Sequence, residues 1–140
     1  MNEQHQGDAQ LSKRQLKGMT RIPEEDTIIF NSKDWIMIIP HTHRSAVYWG
    51  EGTLWDTSYR GESMWFDSYN RQGNLIIIKN KENPQELFQF QIETGLFFNA
   101  NNEAVIFKEF FLQHEELKGA VIQHIQNQKE TLNKFESLCF

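Results

Sequence analysis

Short apolar runs separated by polar turns fill the first part of the chain. Residues 27–30 and 35–40 predict two strands joined across the polar turn 31–34, and Pro40 ends the second strand because proline cannot continue a ladder. Every residue from Trp35 to Pro40 is apolar. Such a run predicts a strand that is buried on both faces or covered by a helix.

Three later strands are predicted from the same kind of pattern. Residues 74–79 and 86–92 would pair as a hairpin, and residues 96–98 would add another strand. From Phe88 onward apolar and polar residues alternate, with Gln89 and Gln91 on the face opposite the aromatic residues. This alternation is typical of an antiparallel strand with one face in the core and one face in water.

Helices are predicted between and after these strands. Thr42 can cap a short helix that ends at Trp49, with Gly50 or Gly52 closing it in a left-handed conformation. A second short helix is predicted over about 62–71, with Gly73 as its stop.

A helical period begins at residue 104 and continues through Phe135, with a predicted break at Gly119. The order of elements predicts an α+β fold: an antiparallel sheet of four to five strands with two short inserted helices and a C-terminal helix. We expect a flexible polar and basic leader over 1–21, a single domain over 22–130 and a C-terminal tail over 131–140.

Composition narrows the possible functions. The chain has 140 residues and a net charge of −5, which argues against a DNA-binding surface. Its single cysteine, Cys139, allows neither an internal disulfide nor a cysteine zinc site and fits a reducing cytoplasm. No apolar run reaches the length of a signal peptide core or a membrane span, so we expect a cytoplasmic protein without a membrane partner.

Residues 41–69 differ from the rest of the chain in composition. This segment holds three of the four tryptophans, all three tyrosines, two of the five histidines and three of the eight glycines. Cationic side chains beside aromatic faces, with glycine backbone N–H groups, suit an anionic ligand that carries a base, such as a nucleotide. The predicted ligand-binding residues are His41, His43, Arg44, Tyr48, Trp49, Gly52, Thr53, Trp55, Tyr59 and Arg60.

Two kinds of chemistry are weaker alternatives in the same segment. His41 and His43 together with a carboxylate could ligate a metal, but no third ligand has a fixed spacing, and we predict neither a metal nor a cofactor. His43 could act as a general base oriented by Asp56, with Ser45, Thr57 or Ser58 as the nucleophile. No nucleophile elbow supports that assignment.

The order of these motifs resembles a set of small, uncharacterised proteins encoded by bacteriophages. Their central motif reads Tyr-x-Gly-x-Gly-Thr-x-Trp-Cys-Thr, and residues 48–57 match it except that Asp56 replaces the cysteine. The likeness extends over roughly residues 24–118 and includes the Phe-Gln-Phe strand at 88–90. It implies a phage protein in the cytoplasm of an infected bacterium, and the aspartate excludes thiol chemistry at that position.

These observations favour a non-enzymatic binding protein with a counter-defence role. Through residues 41–69 it would sequester a nucleotide-type signal molecule or occupy a host defence protein. The alternative is a small enzyme acting on a nucleotide or phosphoester, with His43 and Asp56 as its base pair. The phenylalanine-rich stretch with Phe107, Phe110 and Phe111 further predicts a homo-oligomer, because eleven phenylalanines exceed the needs of a small core.

Overall fold

Five antiparallel strands, each hydrogen-bonded to the next one along the chain, form the centre of the fold. The computed structural model describes residues 20–140, so the predicted leader over 1–21 lies almost entirely outside the described residues. The strands are β1 (Asp26–Asn31), β2 (Trp35–Pro40), β3 (Ile76–Asn80), β4 (Leu87–Gln91) and β5 (Leu96–Asn99).

Two short helices lie between β2 and β3, and three helices follow β5. They are α1 (His43–Trp49), α2 (Met64–Gln72), α3 (Phe107–Gln113), α4 (Glu115–Ile125) and α5 (Lys129–Cys139). Single 3₁₀ turns over Pro23–Glu25 and Asp56–Ser58 precede β1 and α2. The predicted α+β class, the inserted helices and the helical C-terminus are therefore confirmed.

Helices α3, α4 and α5 cover one face of the sheet and enclose the larger core. Phe90 of β4 is at its centre, with ring centroids 5.6 Å from Phe111 and 5.2 Å from Phe97. Phe107 and Phe110, on which the predicted oligomer rests, are buried in this same core. They give no support to an oligomer, which stays a prediction.

The C-terminal segment is part of this core, so the tail predicted over 131–140 is wrong. Helix α5 runs to Cys139 and its Phe135 is fully buried against Phe90 and Phe111. The predicted break at Gly119 is also wrong, because Gly119 lies inside α4. The chain breaks instead at His114, where the backbone leaves the helical region, and at residues 126–128.

The other face of the sheet is covered by α1, α2 and the loop that joins them. Trp55 packs there with Ile77 and Leu87, and Ala46 packs with Phe66. The prediction that the polar face of β4 meets water is therefore wrong, since Gln89 is 6% exposed and Gln91 is 1% exposed.

No helix among residues 20–140 combines the length and the apolar composition that crossing a bilayer requires.

Replacing Phe135 with alanine should lower the free energy of unfolding by about 3–5 kcal/mol, because a large buried ring is lost and the site cannot fully collapse. The matched control is Phe140→Ala, in the same terminal segment, whose side chain is 83% exposed. Its cost should stay below about 1 kcal/mol. Urea unfolding of both variants measures the difference, and equally small effects would contradict a structural role for α5.

Candidate functional site

Helix α1 carries four of the ten predicted ligand-binding residues and is tied to the chain that precedes β1. The hydroxyl of Thr42 accepts the backbone N–H of Ser45 at 3.1 Å and donates to a carboxylate oxygen of Glu25 at 2.8 Å. The predicted cap is thus confirmed. Gly50 ends the helix with φ −92°, so the left-handed residue is the second glycine, Gly52, with φ +83°.

Asp26 forms the centre of a hydrogen-bond network at the start of β1. Its carboxylate accepts two bonds from Arg21, at 2.8 and 2.5 Å, and one from the indole Nε1 of Trp49 at 3.0 Å. The guanidinium of Arg21 also lies 5.8 Å from the Trp49 ring centroid. The bonds from Arg21, and then that from Trp49, hold the pKa of Asp26 below its usual value.

Three of the four side chains predicted to attract an anion, Arg44, His41 and His43, already contact other groups of the protein. Arg44 donates to Glu25 at 3.3 Å and to the backbone carbonyl of Thr20 at 3.0 Å. His41 lies 2.6 Å from the hydroxyl of Thr27. Arg60 is half-buried and makes no hydrogen bond or ion pair that can be identified within residues 20–140. Arg44 and His41 are therefore held by separate partners.

His43 is oriented by a backbone carbonyl. Its Nε2 lies 2.7 Å from the carbonyl oxygen of Tyr59. Because a carbonyl can only accept, Nε2 must carry the proton in this contact, and the basic nitrogen of the neutral ring is then Nδ1. Asp56 is exposed on its 3₁₀ turn, and no hydrogen bond joins it to His43 in the described part of the chain. The catalytic pair of the enzyme alternative is therefore not assembled in this geometry.

The loop between α1 and α2 folds back onto both the helix and β5. Ser58 donates to the carbonyl of Ala46 at 2.8 Å, and a side chain at Gly50 would overlap Ser58. Thr53 donates to the carbonyl of Gly50 at 2.7 Å. The indole of Trp55 donates to the carbonyl of Asn99 at 2.8 Å, which fixes the loop across the end of β5.

The buried amides of β4 hold this loop and α2 against the sheet. Gln89 exchanges hydrogen bonds with the hydroxyl of Thr57, at 3.1 and 3.0 Å. Gln91 donates to the carbonyls of Tyr69 and Gly73 at 2.7 and 2.8 Å and accepts from Thr94 at 2.9 Å. These bonds satisfy polar groups that would be costly to bury unpaired.

A cleft of about 130 Å³ opens between this loop, α2 and β5. We name it the aromatic cleft, because ring side chains from three parts of the chain line it. Asp56 is its only charged lining residue within residues 20–140. The residues that line it include Trp55, Asp56, Trp65, Tyr69, Gln89, Phe98 and Asn102.

A wider trough of about 910 Å³ lies on the other side of the loop, against the β3–β4 hairpin. Tyr48, Trp49 and Gly52 line it together with charged residues of both signs, among them Glu51 and Lys79. The predicted ligand-binding residues are thus divided. Three line the trough, Trp55 lines the aromatic cleft, and the others line neither.

Several residues of the aromatic cleft were not among the predicted binding residues. Trp65 and Tyr69 lie four residues apart on α2, which places both on one side of the helix, and that spacing is visible in the sequence. Phe98 and Asn102 come from β5 and the turn after it, and Gln89 from β4. Nothing in the sequence places these three beside α2.

Within residues 20–140, no group of three or more histidine, cysteine or acidic side chains is arranged to hold a metal ion. No protein-family model, no curated protein and no solved structure matches the chain. The chemistry of the site is therefore inferred from its own geometry.

The pH dependence of stability should report the Asp26 network. A carboxylate whose folded pKa is lowered stabilises the fold above its unfolded pKa of about 3.9, and this contribution is lost as the pH falls through the folded pKa. Asp26→Asn should therefore lower the unfolding free energy at pH 7 by about 2–3 kcal/mol and lessen its decline below pH 4. Urea unfolding at several pH values measures both effects.

Asp34→Asn, in the exposed β1–β2 turn, is the matched control and should change the profile little. Identical profiles for the wild-type protein and Asp26→Asn would contradict the network.

Proposed function

We propose that this chain is a non-enzymatic binding protein of phage origin that occupies a host protein through the aromatic cleft and its rim, as part of counter-defence. The phage setting rests on the resemblance of residues 48–57 to the phage motif. The binding mode rests on the surface of the segment 41–69. The cytoplasm of the infected host is the expected location.

The observation that carries the proposal is a group of exposed apolar side chains in the segment that forms one side of the cleft. Leu54 is 59% exposed, Met64 is 54% exposed and Trp65 is 41% exposed. Trp65 lines the cleft, and the other two are next to lining residues along the chain. Exposed apolar surface around a pocket that can receive an anchor side chain is the composition of a protein-binding hot spot.

A nucleotide-type ligand is the second candidate, and the size of the cleft favours it. Its volume of about 130 Å³ approaches that of an apolar cavity that holds one benzene ring, roughly 150 Å³. A single base could therefore stack on its aromatic walls. The phosphates would lack cationic partners, because Arg44 is paired with Glu25 and no cation lines the cleft among the described residues.

The enzyme alternative has less support than either binding mode. It requires His43 to be oriented by Asp56, and no hydrogen bond joins these two side chains in the described part of the chain. Incubating the protein with nucleotides and analysing the mixture by mass discriminates the two classes, since a binding protein returns its ligand intact.

Trp65→Ala and Leu54→Ala should each abolish or strongly weaken a stoichiometric complex with a host protein. Loss of a hot-spot side chain costs about 2 kcal/mol or more, roughly a thirty-fold loss of affinity. Affinity purification from bacterial lysate, followed by size-exclusion chromatography, measures the complex. Leu112→Ala is the matched control, because Leu112 is even more exposed than Leu54 but lies on α3, over the opposite face of the sheet.

Retention of the complex by both cleft variants would contradict the proposed surface. A complex lost equally in Leu112→Ala would point to a different surface.

A further inference from the structure

The sign of the charge in the aromatic cleft is opposite to that of an anion-binding site. Its one charged lining residue within residues 20–140 is Asp56, which is exposed and forms no ion pair there. From residue 51 to residue 69 the chain carries four carboxylates and one arginine. A phosphate in the cleft would lie beside an unpaired carboxylate, whereas a cation would be attracted.

We infer that the aromatic cleft receives the guanidinium of an arginine side chain presented by the protein partner. This inference rests on the proposed function and specifies the anchor that the host protein supplies. Three properties of the cleft support it: aromatic walls, a carboxylate at an exposed position and an available acceptor deeper inside.

The walls suit a flat cation. Trp65, Tyr69 and Phe98 line a space large enough for one planar group. A guanidinium stacks on aromatic faces by combining dispersion with attraction to the ring quadrupole, and tryptophan is the most favourable partner. The partly exposed Trp65 is therefore the residue on which we expect the guanidinium to stack.

The polar groups of the cleft suit a ligand that donates hydrogen bonds and accepts none. The ionised carboxylate of Asp56 can only accept hydrogen bonds, and a guanidinium has five N–H donors and no acceptor. The amide oxygen of Gln89 has two lone pairs, of which the Thr57 hydroxyl can occupy one. Gln89 lines the cleft from the sheet, so its second lone pair can accept a donor that has passed the aromatic walls.

The test uses the full chain, ¹⁵N-labelled, and follows the tryptophan indole N–H signals by NMR. The probes are N-acetyl-arginine amide and N-acetyl-citrulline amide, which has a similar shape but no charge. The Trp65 signal is assigned with Trp65→Phe. We expect the arginine probe to shift the Trp65 signal and to bind at least five-fold more tightly than the citrulline probe.

Two variants measure separately how much the carboxylate of Asp56 and the aromatic ring of Trp65 contribute to binding of the arginine probe. Asp56→Asn removes the charge of the carboxylate with little change of shape and should lower the affinity for the arginine probe about five-fold. Trp65→Leu keeps an apolar side chain but removes the aromatic ring, and it should lower the affinity by a similar factor. Asp34→Asn, an exposed aspartate in the β1–β2 turn, is the matched control and should change nothing. Adding salt should lower the affinity of the wild-type protein for the arginine probe.

Each other outcome would overturn the inference. Equal affinity for arginine and citrulline, or no response to either probe, would exclude a charge-selective cleft while leaving the proposed function in place, provided that the host complex is still lost in Trp65→Ala. Adenosine monophosphate shifting the Trp65 signal more strongly than arginine would overturn both the inference and the proposed function in favour of the nucleotide candidate.

Discussion

The burial of the polar face of β4 is the constraint on which the second half of the architecture depends. Gln89 and Gln91 lie on the face of the sheet opposite the phenylalanine core and have almost no contact with water. A buried amide without partners would cost about 1–3 kcal/mol for each lost bond. Thr57 and the carbonyls at the end of α2 supply those partners. The insertion between β2 and β3 is therefore fixed over the sheet at two points, and the aromatic cleft is the space left between it and β5.

The sequence predicts correctly those helices and strands whose bounds are set by residues within or next to the element itself. The bounds of β2 follow from its apolar run and Pro40, and α1 begins after the Thr42 cap as predicted. The alternation of β4 identified the two faces of the strand, but it could not reveal what covers the polar face, because the covering residues lie outside the strand. The C-terminal helix was partly visible, since Leu132, Phe135 and Cys139 follow a helical spacing.

The site was predictable in location but less so in chemistry. The composition of residues 41–69 points to the segment from which both the aromatic cleft and the trough are built. The cationic side chains in this segment predicted a site for an anion. Arg44, however, is paired with Glu25, which lies nineteen residues earlier in the chain. Whether a charged side chain is free depends on such distant contacts, and sequence composition does not report them. Asp56 forms no ion pair within residues 20–140, and for that reason we infer a cationic rather than an anionic ligand for the cleft.

The proposed function requires that the segment 41–69 binds a host protein and leaves it chemically unchanged. The decisive experiment is native mass spectrometry of the full chain purified from bacterial cells, followed by denaturation and mass analysis of everything released. We expect a complex whose added mass is an intact host polypeptide, with no small molecule released. Release of a nucleotide, intact or altered, with no polypeptide partner would contradict it.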